Sequence, residues 1–214
     1  MSKLLRFLVW MGIAAGITVG ISRAVALRWW KVPSGDPYLE ASVAPTLRGG
    51  DWVLLWRLSA PRLGDLVLCP EPNAPGREVL ARIAGVQGDR VELDGGMLRI
   101  NGRKAAANHP CPEDHFTTID PETRAATPQS CVIEELGSRN HPRGEVTSQL
   151  RAADHKSFEV PAGQVVLISD NRQFPYDSRD FGLVDRASCR ESVFFRLVSA
   201  AGFSDVATRL TWIP

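Results

Sequence analysis

The sequence predicts a mainly β fold: an antiparallel β-sheet body with an inserted cap and one N-terminal transmembrane helix. Beyond residue 31, no long stretch repeats its apolar residues with the 3.6-residue period of a helix. Short apolar runs recur instead between turn residues, as is typical of β-strands. The longest uncharged stretch lies near the N-terminus. The chain of 214 residues, 44% of them hydrophobic, suffices for one sizeable core.

The N-terminal stretch from Phe7 to Ser22 carries no charge. It is shorter than the roughly 20 residues that cross a bilayer as a helix. If the side chain of Arg23 reaches the lipid headgroups, the span can extend through Leu27. Trp29 and Trp30 then fall where an aromatic belt lies in a membrane protein.

We therefore predict a membrane anchor over residues 1–31, with residues 5–27 in the membrane and the N-terminus in the cytoplasm. The alternative is a secretory signal cleaved after Ala24-Val25-Ala26, a small-x-small sequence. The arginine before that site and the bulky residues after it favour an uncleaved anchor. Both interpretations place the remainder of the chain outside the cytoplasm.

The β body is predicted over residues 32–107 and 156–214. Asp94-Gly95-Gly96 and Asn101-Gly102 are hairpin turn signals, since glycine accepts the positive φ angles that tight turns require. Seven short apolar runs predict strands at residues 51–56, 65–69, 78–86, 89–93, 97–100, 157–160 and 164–169.

The predicted cap covers residues 108–155, where proline, histidine, threonine and charged residues dominate. Cys111 and Cys131 bracket a polar loop in this region. In an oxidising compartment such a pair forms a disulfide, and we predict one between them. Cys69 and Cys189 lie in or beside apolar runs.

A metal site is the alternative role for the cap. Its four potential ligands are His109, Cys111, His115 and Cys131. Their spacing matches no compact zinc pattern, so we predict no metal and no other cofactor. The formal net charge of +1 gives no electrostatic argument for nucleic acid as a partner.

Four stretches of the body share one order and spacing: "SVAPTLRGGDWVLL" (42–55), "RLGDLVLCPEP" (62–72), "ARIAGVQGDRVEL" (81–93) and "SDNRQFPYDSRDFGLV" (169–184). The series resembles the boxes of the type I signal peptidases, or leader peptidases. The hairpin "GGMLRINGRK" also looks like that family's stretch between the third and fourth boxes. The resemblance implies a β fold tethered to the cytoplasmic membrane, which removes signal peptides from exported proteins at the outer face.

In that family a serine attacks the scissile peptide bond and a neutral lysine removes the proton of the serine. A serine hydroxyl is a weak nucleophile that needs such a base, and a lysine can act as one only where burial lowers its pKa. The resemblance places Ser42 at the nucleophile position. The position of the lysine base is occupied by Ala81, so the Ser/Lys dyad is incomplete. The matching neighbours of the nucleophile are Pro45, Thr46, Gly50 and Asp51.

Two further positions depart from the family pattern. The serine that would orient the lysine falls at Pro175, which has neither a hydroxyl nor an N–H. Two residues before the nucleophile, bacterial members often carry a serine for the oxyanion hole. Here that position is Glu40, whose carboxylate would repel the developing negative charge. The supporting positions that match the family are Arg82, Asp170, Asn171, Arg172, Asp177, Ser178 and Arg179.

These departures favour a non-catalytic relative that binds signal peptides as an added strand in an inherited groove. The groove walls would lie near Tyr38–Ser42 and Val79–Ala81. Loss of the base in a serine protease costs on the order of 10⁶ in kcat. The alternative is an active signal peptidase that uses Ser42 with an unconventional base, such as His155 or Glu40. The expected partners are signal peptides of exported proteins and, through the N-terminal helix, membrane lipid.

Overall fold

The structure, a computed structural model, describes residues 3–58, 60–145 and 155–214. Its helices are α1 (Lys3–Ala26), α2 (Pro37–Val43) and α3 (Ser178–Phe181). Its strands are β1 (Leu27–Lys31), β2 (Trp52–Trp56), β3 (Leu66–Pro70), β4 (Glu78–Gly85), β5 (Arg90–Asp94), β6 (Met97–Ile100), β7 (Arg103–Lys104), β8 (Ala107–Ile119), β9 (Ala126–Leu136), β10 (Arg139–Gly144), β11 (Lys156–Glu159), β12 (Gln164–Ile168), β13 (Val184–Asp185), β14 (Glu191–Val198) and β15 (Thr211–Trp212). The predicted mainly β fold is confirmed.

Three antiparallel sheets make up the body and the cap. The main sheet has the order β1-β2-β14-β3-β4-β12-β13, with β15 paired to β14. A second sheet, in the order β11-β5-β6-β7, follows β4 along the chain, and β10-β9-β8 form the third. All seven predicted strands are present to within one residue at each end. The hairpin between β5 and β6 turns at Gly95 and Gly96, whose φ angles are 52° and 86°.

The predicted N-terminal apolar helix is α1. Its segment Lys3–Ile21 is long and apolar enough to cross a membrane, with a mean hydropathy of 1.9, and its side chains are exposed. A helix with exposed apolar side chains on all its faces requires a surrounding that is not water. The helix is therefore compatible with a membrane anchor.

The end of the predicted anchor differs from expectation, because β1 begins directly at Leu27 and pairs with β2. Trp30 is 8% exposed and packs with Val53 and Leu55 in the core, whereas Trp29 is 51% exposed. Aromatic side chains favour extended, paired backbone. Trp30 is therefore a core residue of the body, and an aromatic belt at the membrane does not include it.

Alternate residues of β4 contribute to two different cores, as expected for a strand covered on both faces. Leu80 packs with α2 and with strands β1 to β3. Val79, Ala81 and Ile83 pack with β12 and α3. A third core lies between the main sheet and the β5–β6 hairpin. As a result, β4 is the central strand around which the candidate site is built.

The cap contains strands that the sequence did not predict. β8, β9 and β10 pair antiparallel, while residues 146–154 of the predicted cap lie outside the described residues. Proline normally argues against a strand because it lacks the N–H that a ladder needs. A register shift between Pro110 and His115 accommodates part of this run. The prolines within the three strands are Pro110, Pro112, Pro128 and Pro142.

Two disulfides cross-link these elements. One joins Cys111 of β8 to Cys131 of β9, which is the pairing that the sequence suggested. The other joins Cys69 at the end of β3 to Cys189, 120 residues away and just before β14. This second pairing was not predicted, because each of the two cysteines lies in or beside an apolar run that also suits a free buried thiol.

Candidate functional site

The residue at the nucleophile position, Ser42, lies in the last turn of α2. Asp36 caps this helix by accepting hydrogen bonds from the backbone N–H groups of Tyr38 and Leu39, both at 3.1 Å, and Pro37 begins it. Ser42 is 2% exposed, and its hydroxyl donates to the carbonyl of Leu39 at 3.0 Å. The proton of Ser42 is therefore directed at a main-chain acceptor.

Ala81, at the position of the family's base, is fully buried in β4. Opposite it on β3 is Val67. We call the core around it the Ala81 cluster, which contains no charged side chain. Its members are Val67, Cys69, Val79, Ala81, Ile83, Val165, Leu167, Phe181, Val184 and Cys189.

The loop after β12 contacts both Ser42 and the Ala81 cluster. The backbone N–H of Asn171 donates to the carbonyl of Ser42 at 3.0 Å, and Tyr176 packs against the Ala81 cluster. Pro175, between them in the chain, is buried. The structure therefore brings the α2, β4 and Pro175 segments together.

Glu40 has a structural role at the start of α2. Its Oε1 accepts a hydrogen bond from the backbone N–H of Gly35 at 2.5 Å. A Cβ atom at Gly49 would lie only 2.5 Å from its Cδ, so a larger residue there would displace the carboxylate. Glu40 also lines a cavity of 370 Å³ between α2 and the cap, together with Arg48 and Arg124.

Asp170 and Arg82 form the centre of a buried polar network. Arg82 Nε donates to Asp170 Oδ1 at 2.7 Å, and both side chains are essentially inaccessible. Thr46, from the nucleophile box, donates to Asp170 Oδ2 at 2.5 Å. Arg82 also donates to the carbonyls of Gly64 and Pro214, at 2.9 and 2.5 Å. Satisfied in this way, the pair fixes β4 relative to the segment after α2.

Arg172 extends the network into the cap, where it pairs with Glu134 of β9. Burial alone would raise the pKa of Glu134, but the nearby side chains of Arg172, His141 and Arg143 outweigh it and lower the pKa to about 2. His141 lies 3.5 Å from Glu134 and 3.6 Å from Asp170, and burial lowers its pKa. The sequence did not predict that Glu134 and His141 belong to this network, because no family box includes them.

Asp177, Ser178 and Arg179 brace the scaffold. The carboxylate of Asp177 caps α3. It also accepts two hydrogen bonds from the guanidinium of Arg179, at 2.9 and 2.8 Å. Burial would raise the pKa of Asp177, but the ion pair and the backbone donors lower it. The backbone N–H of Leu167, in β12, donates to Ser178 Oγ at 2.8 Å. These contacts hold the loop after β12 in place.

The first half of β4 has a strand neighbour on one edge. Val79–Ala81 pair with β3, whereas β12 pairs with β4 only from Arg82 onward. Among the residues that the structure describes, no strand pairs with the other edge of Val79–Ala81. An extended peptide can add to such an edge through main-chain hydrogen bonds. Tyr38–Ser42 is helical, so only the β4 wall offers an edge for a peptide strand.

An ion pair and two packed aromatic rings lie at one end of this edge. Arg77, just before β4, lies 3.1 Å from Asp36, and its guanidinium stacks over Tyr176 at 4.4 Å from the ring centroid. Tyr38 packs against Tyr176 with 5.9 Å between centroids. Burial, followed by a hydrogen bond to Glu71, raises the pKa of Tyr176 to about 12, so its hydroxyl stays neutral. We call Asp36, Tyr38, Arg77 and Tyr176 the clasp.

A metal site does not emerge from the part of the chain that the structure describes. Within residues 3–58, 60–145 and 155–214, no group of three or more histidine, cysteine or acidic side chains is placed to hold a metal ion. Cys111 and Cys131, two of the four ligands considered in the cap, are joined in a disulfide. A disulfide sulfur is not the thiolate that binds zinc.

Comparisons with known proteins identify relatives of this chain. The profile of a family described as signal peptidase, peptidase S26, matches residues 4–198. Signal peptidase I of Pseudomonas fluorescens is 26% identical over 176 residues, which cover 74% of this chain and 57% of that protein. Signal peptidase I of Bacillus licheniformis is 26% identical over 170 residues, which cover 75% and 76%.

The chain spans little more than half the length of the two Pseudomonas relatives that it matches, 57% in each case. A crystal structure of a signal peptidase I from Enterococcus faecalis V583 overlaps 63% of this chain and 97% of that chain. Its sequence identity is 22% and its TM-score is 0.41.

Proposed function

Because the chain belongs to the signal peptidase S26 family, we propose that it is a membrane-anchored, signal peptidase I-like protein that binds signal peptides without cleaving them. Its ligands would be the signal peptides of exported proteins. The observation that carries the proposal is Ala81, a buried apolar side chain at the position of the family's base.

The environment of Ser42 agrees with this proposal. A serine hydroxyl becomes a useful nucleophile only when a nearby group accepts its proton. The Ser42 hydroxyl donates to the Leu39 carbonyl, which is not a base. His155, a base considered for the active alternative, is exposed, and Glu40 is engaged with Gly35.

Peptide binding would use the first half of β4 once that edge is uncovered, because Val79, Leu80 and Ala81 are at most 2% exposed in the structure. A signal peptide in extended form can pair with Val79–Ala81, the stretch that β12 leaves unpaired. The ion pairs of Arg82 and Arg179 hold this strand and the neighbouring loop in place without any catalytic residue. Recognition of the peptide and cleavage of the peptide are therefore separable on this scaffold.

The location that we propose is the cytoplasmic membrane, with a single span and the body on the outer side. α1 supplies the span, and the sheet that continues from it carries exposed tryptophans at Trp29, Trp52 and Trp212. Such side chains favour the membrane interface. Protease added to intact spheroplasts should degrade the body, and protection of the residues after Lys31 would overturn this orientation.

We also propose the domain organisation suggested by the sequence, with the cap at residues 108–155 inserted between the two parts of the body. The body would comprise residues 32–107 and 156–214, with Leu27–Lys31 added because β1 pairs with β2. Contacts of Arg172 with Glu134, across the boundary, indicate that the cap and the body form one packed unit.

Binding of a labelled signal peptide to the full-length protein in neutral detergent micelles tests the proposal. The matched control is a peptide of the same composition in scrambled order. We expect saturable binding of the signal peptide, with a weaker response to the scrambled peptide. Equal binding of the two peptides would overturn the assignment of signal peptides as ligands.

A further inference from the structure

We propose that a cleft at the foot of the body binds the phosphate of an anionic phospholipid headgroup. This inference rests on the membrane anchoring proposed above. The cleft, which we call the foot cleft, has a volume of 490 Å³. It lies between the segment after β2 and the turn between β13 and β14, and its lining includes Arg57, Leu58, Pro61, Asp185, Arg186 and Arg190.

The foot cleft lies beside the C-terminal end of α1. The backbone N–H of Arg57 donates to the carbonyl of Ala26, the last residue of α1, at 3.0 Å. The uncharged stretch of α1 ends at Ser22. The four residues to Ala26 rise by about 6 Å along a helix. The headgroup layer is about 5–8 Å thick on each side of the hydrocarbon, so Arg57 lies within the headgroup layer.

The charged side chains that line the foot cleft are mainly basic. Three guanidinium groups and one carboxylate, that of Asp185, line it. Arginine presents its N–H groups in a planar fork that matches phosphate oxygens in pairs. An anion with several oxygens in one plane or tetrahedron, as in a phosphodiester, is the ligand that suits this arrangement.

Each arginine is held by a bond that leaves further donors on the same group. Arg186 Nη2 donates to the Pro61 carbonyl at 3.3 Å, and Arg190 Nε donates to the Ala187 carbonyl at 2.7 Å. Arg57 Nε lies 3.1 Å from Glu191. A guanidinium has five N–H donors, so one such contact positions it without saturating it.

The charge near the cleft remains positive when the adjacent residues are included. Glu191 is shared between Arg57 and Arg28, at 3.1 and 2.7 Å. Arg28 also lies 3.7 Å from Glu78. With Asp185, three carboxylates therefore face the four arginines, which are Arg28, Arg57, Arg186 and Arg190.

The cleft is also shaped for a lipid rather than a free anion. Leu58 lines it and is 59% exposed, and Trp56 at the end of β2 is 36% exposed. Apolar side chains beside arginines suit the boundary between acyl chains and headgroups. Cys189, bonded to Cys69, lines the cleft from within the core and fixes the turn that carries Arg186 and Arg190.

Thermal unfolding of the full-length protein in neutral detergent micelles tests the proposal. The probes are phosphatidylglycerol, phosphatidylcholine and inorganic phosphate. Because a ligand that binds only the folded state stabilises it, phosphatidylglycerol should raise Tm by about 3 °C over phosphatidylcholine. The double variant Arg186→Gln, Arg190→Gln should lose this rise. The matched control Arg99→Gln, Arg103→Gln, in the exposed β6–β7 hairpin, should keep it.

Three results would overturn the proposal. They are no difference between the two lipids, the same rise in the Arg186→Gln, Arg190→Gln variant, and an equal rise with inorganic phosphate, which would assign the site to a free anion. Signal-peptide binding, measured on the same samples, separates this inference from the proposed function. Peptide binding without the lipid effect contradicts the foot cleft alone, and the lipid effect without peptide binding contradicts the proposed function alone.

Discussion

The guanidinium of Arg77 lies 3.1 Å from the carboxylate of Asp36 and stacks over the ring of Tyr176. This ion pair connects the residue before β4 with the residue that caps α2, so it crosses from one wall of the proposed peptide site to the other. A peptide strand that pairs with Val79–Ala81 has to pass this contact. We therefore expect the clasp to control access to one end of the edge.

Replacing Arg77 should strengthen peptide binding. Arg77→Ala removes a partly exposed ion pair and a cation–π contact, together worth about 1 kcal/mol. If the closed clasp competes with the peptide, affinity should rise by up to about fivefold. Peptide titration of both proteins measures this. Arg90→Ala, which breaks an exposed ion pair with Glu92, is the matched control. Unchanged or weaker binding by Arg77→Ala would show that the clasp does not close the site.

Restoring the base alone should restore little cleavage. A lysine at position 81 would begin in the Ala81 cluster, where burial lowers its pKa as a base requires. Pro175, however, offers no hydroxyl to orient the amine, and Glu40 disfavours the oxyanion. The variant Ala81→Lys should therefore stay close to background in an assay of a small-x-small peptide.

The triple change Glu40→Ser, Ala81→Lys and Pro175→Ser should give cleavage that depends on Ser42. The gain should be strongly non-additive, because the base, its orienter and the oxyanion donor act as a unit. Adding Ser42→Ala to the triple variant is the control and should remove the activity. A folded triple variant without cleavage would mean that the α2 segment has diverged from the family's geometry.

Acid should destabilise the body in two steps. Burial keeps His141 neutral when folded, so the unfolded state binds a proton below about pH 6.5 that the folded state does not, and the free energy of unfolding falls. The Glu134 carboxylate stabilises the fold above its ordinary pKa of 4.5, and this contribution is lost as pH falls from there towards 2.

The variants His141→Asn and Glu134→Gln separate these steps. His141→Asn should flatten the pH dependence just below pH 6.5. Glu134→Gln should flatten it below pH 4.5 and cost about 3–5 kcal/mol at neutral pH, since it leaves Arg172 buried without its partner. Urea unfolding across the pH range measures both. A wild-type free energy of unfolding that is constant from pH 7 to 3 would contradict the assignment.

Both disulfides should be present in the native protein. The Cys111–Cys131 bridge closes 20 residues and should contribute about 3 kcal/mol. The Cys69–Cys189 bridge closes 120 residues and should contribute about 5 kcal/mol by the same chain-entropy estimate. Mass mapping under non-reducing conditions should recover both linked peptides. Free thiols at Cys111 and Cys131 would contradict the first pairing.

The strands of the body could be predicted because their apolar runs are short and bounded by turn residues. β4 and β12 are examples, since each is buried along most of its length and consists mainly of apolar residues. The cap strands could not, because proline and charged residues interrupt their pattern. Register shifts accommodate these interruptions and a disulfide cross-links the sheet, and neither leaves a periodic signal.

The candidate site was predictable where the residues belong to family boxes. Ser42, Ala81, Arg82 and Asp170 could be located in this way. The partners that come from elsewhere in the chain could not be found. Glu134 and His141 reach the network from the cap. The helical conformation of Tyr38–Ser42 depends on its cap at Asp36, which the resemblance did not indicate.

The most direct measurement is the cleavage of a signal-peptide substrate by the purified full-length protein, beside its Ser42→Ala variant. Both proteins should bind the peptide with similar affinity, because the proposed binding mode uses the edge of β4 and not the Ser42 hydroxyl. We expect both to show the same background of cleavage, since Ala81 cannot take the proton of Ser42. Cleavage by the wild-type protein that Ser42→Ala abolishes would contradict the account and establish an active peptidase with a different base.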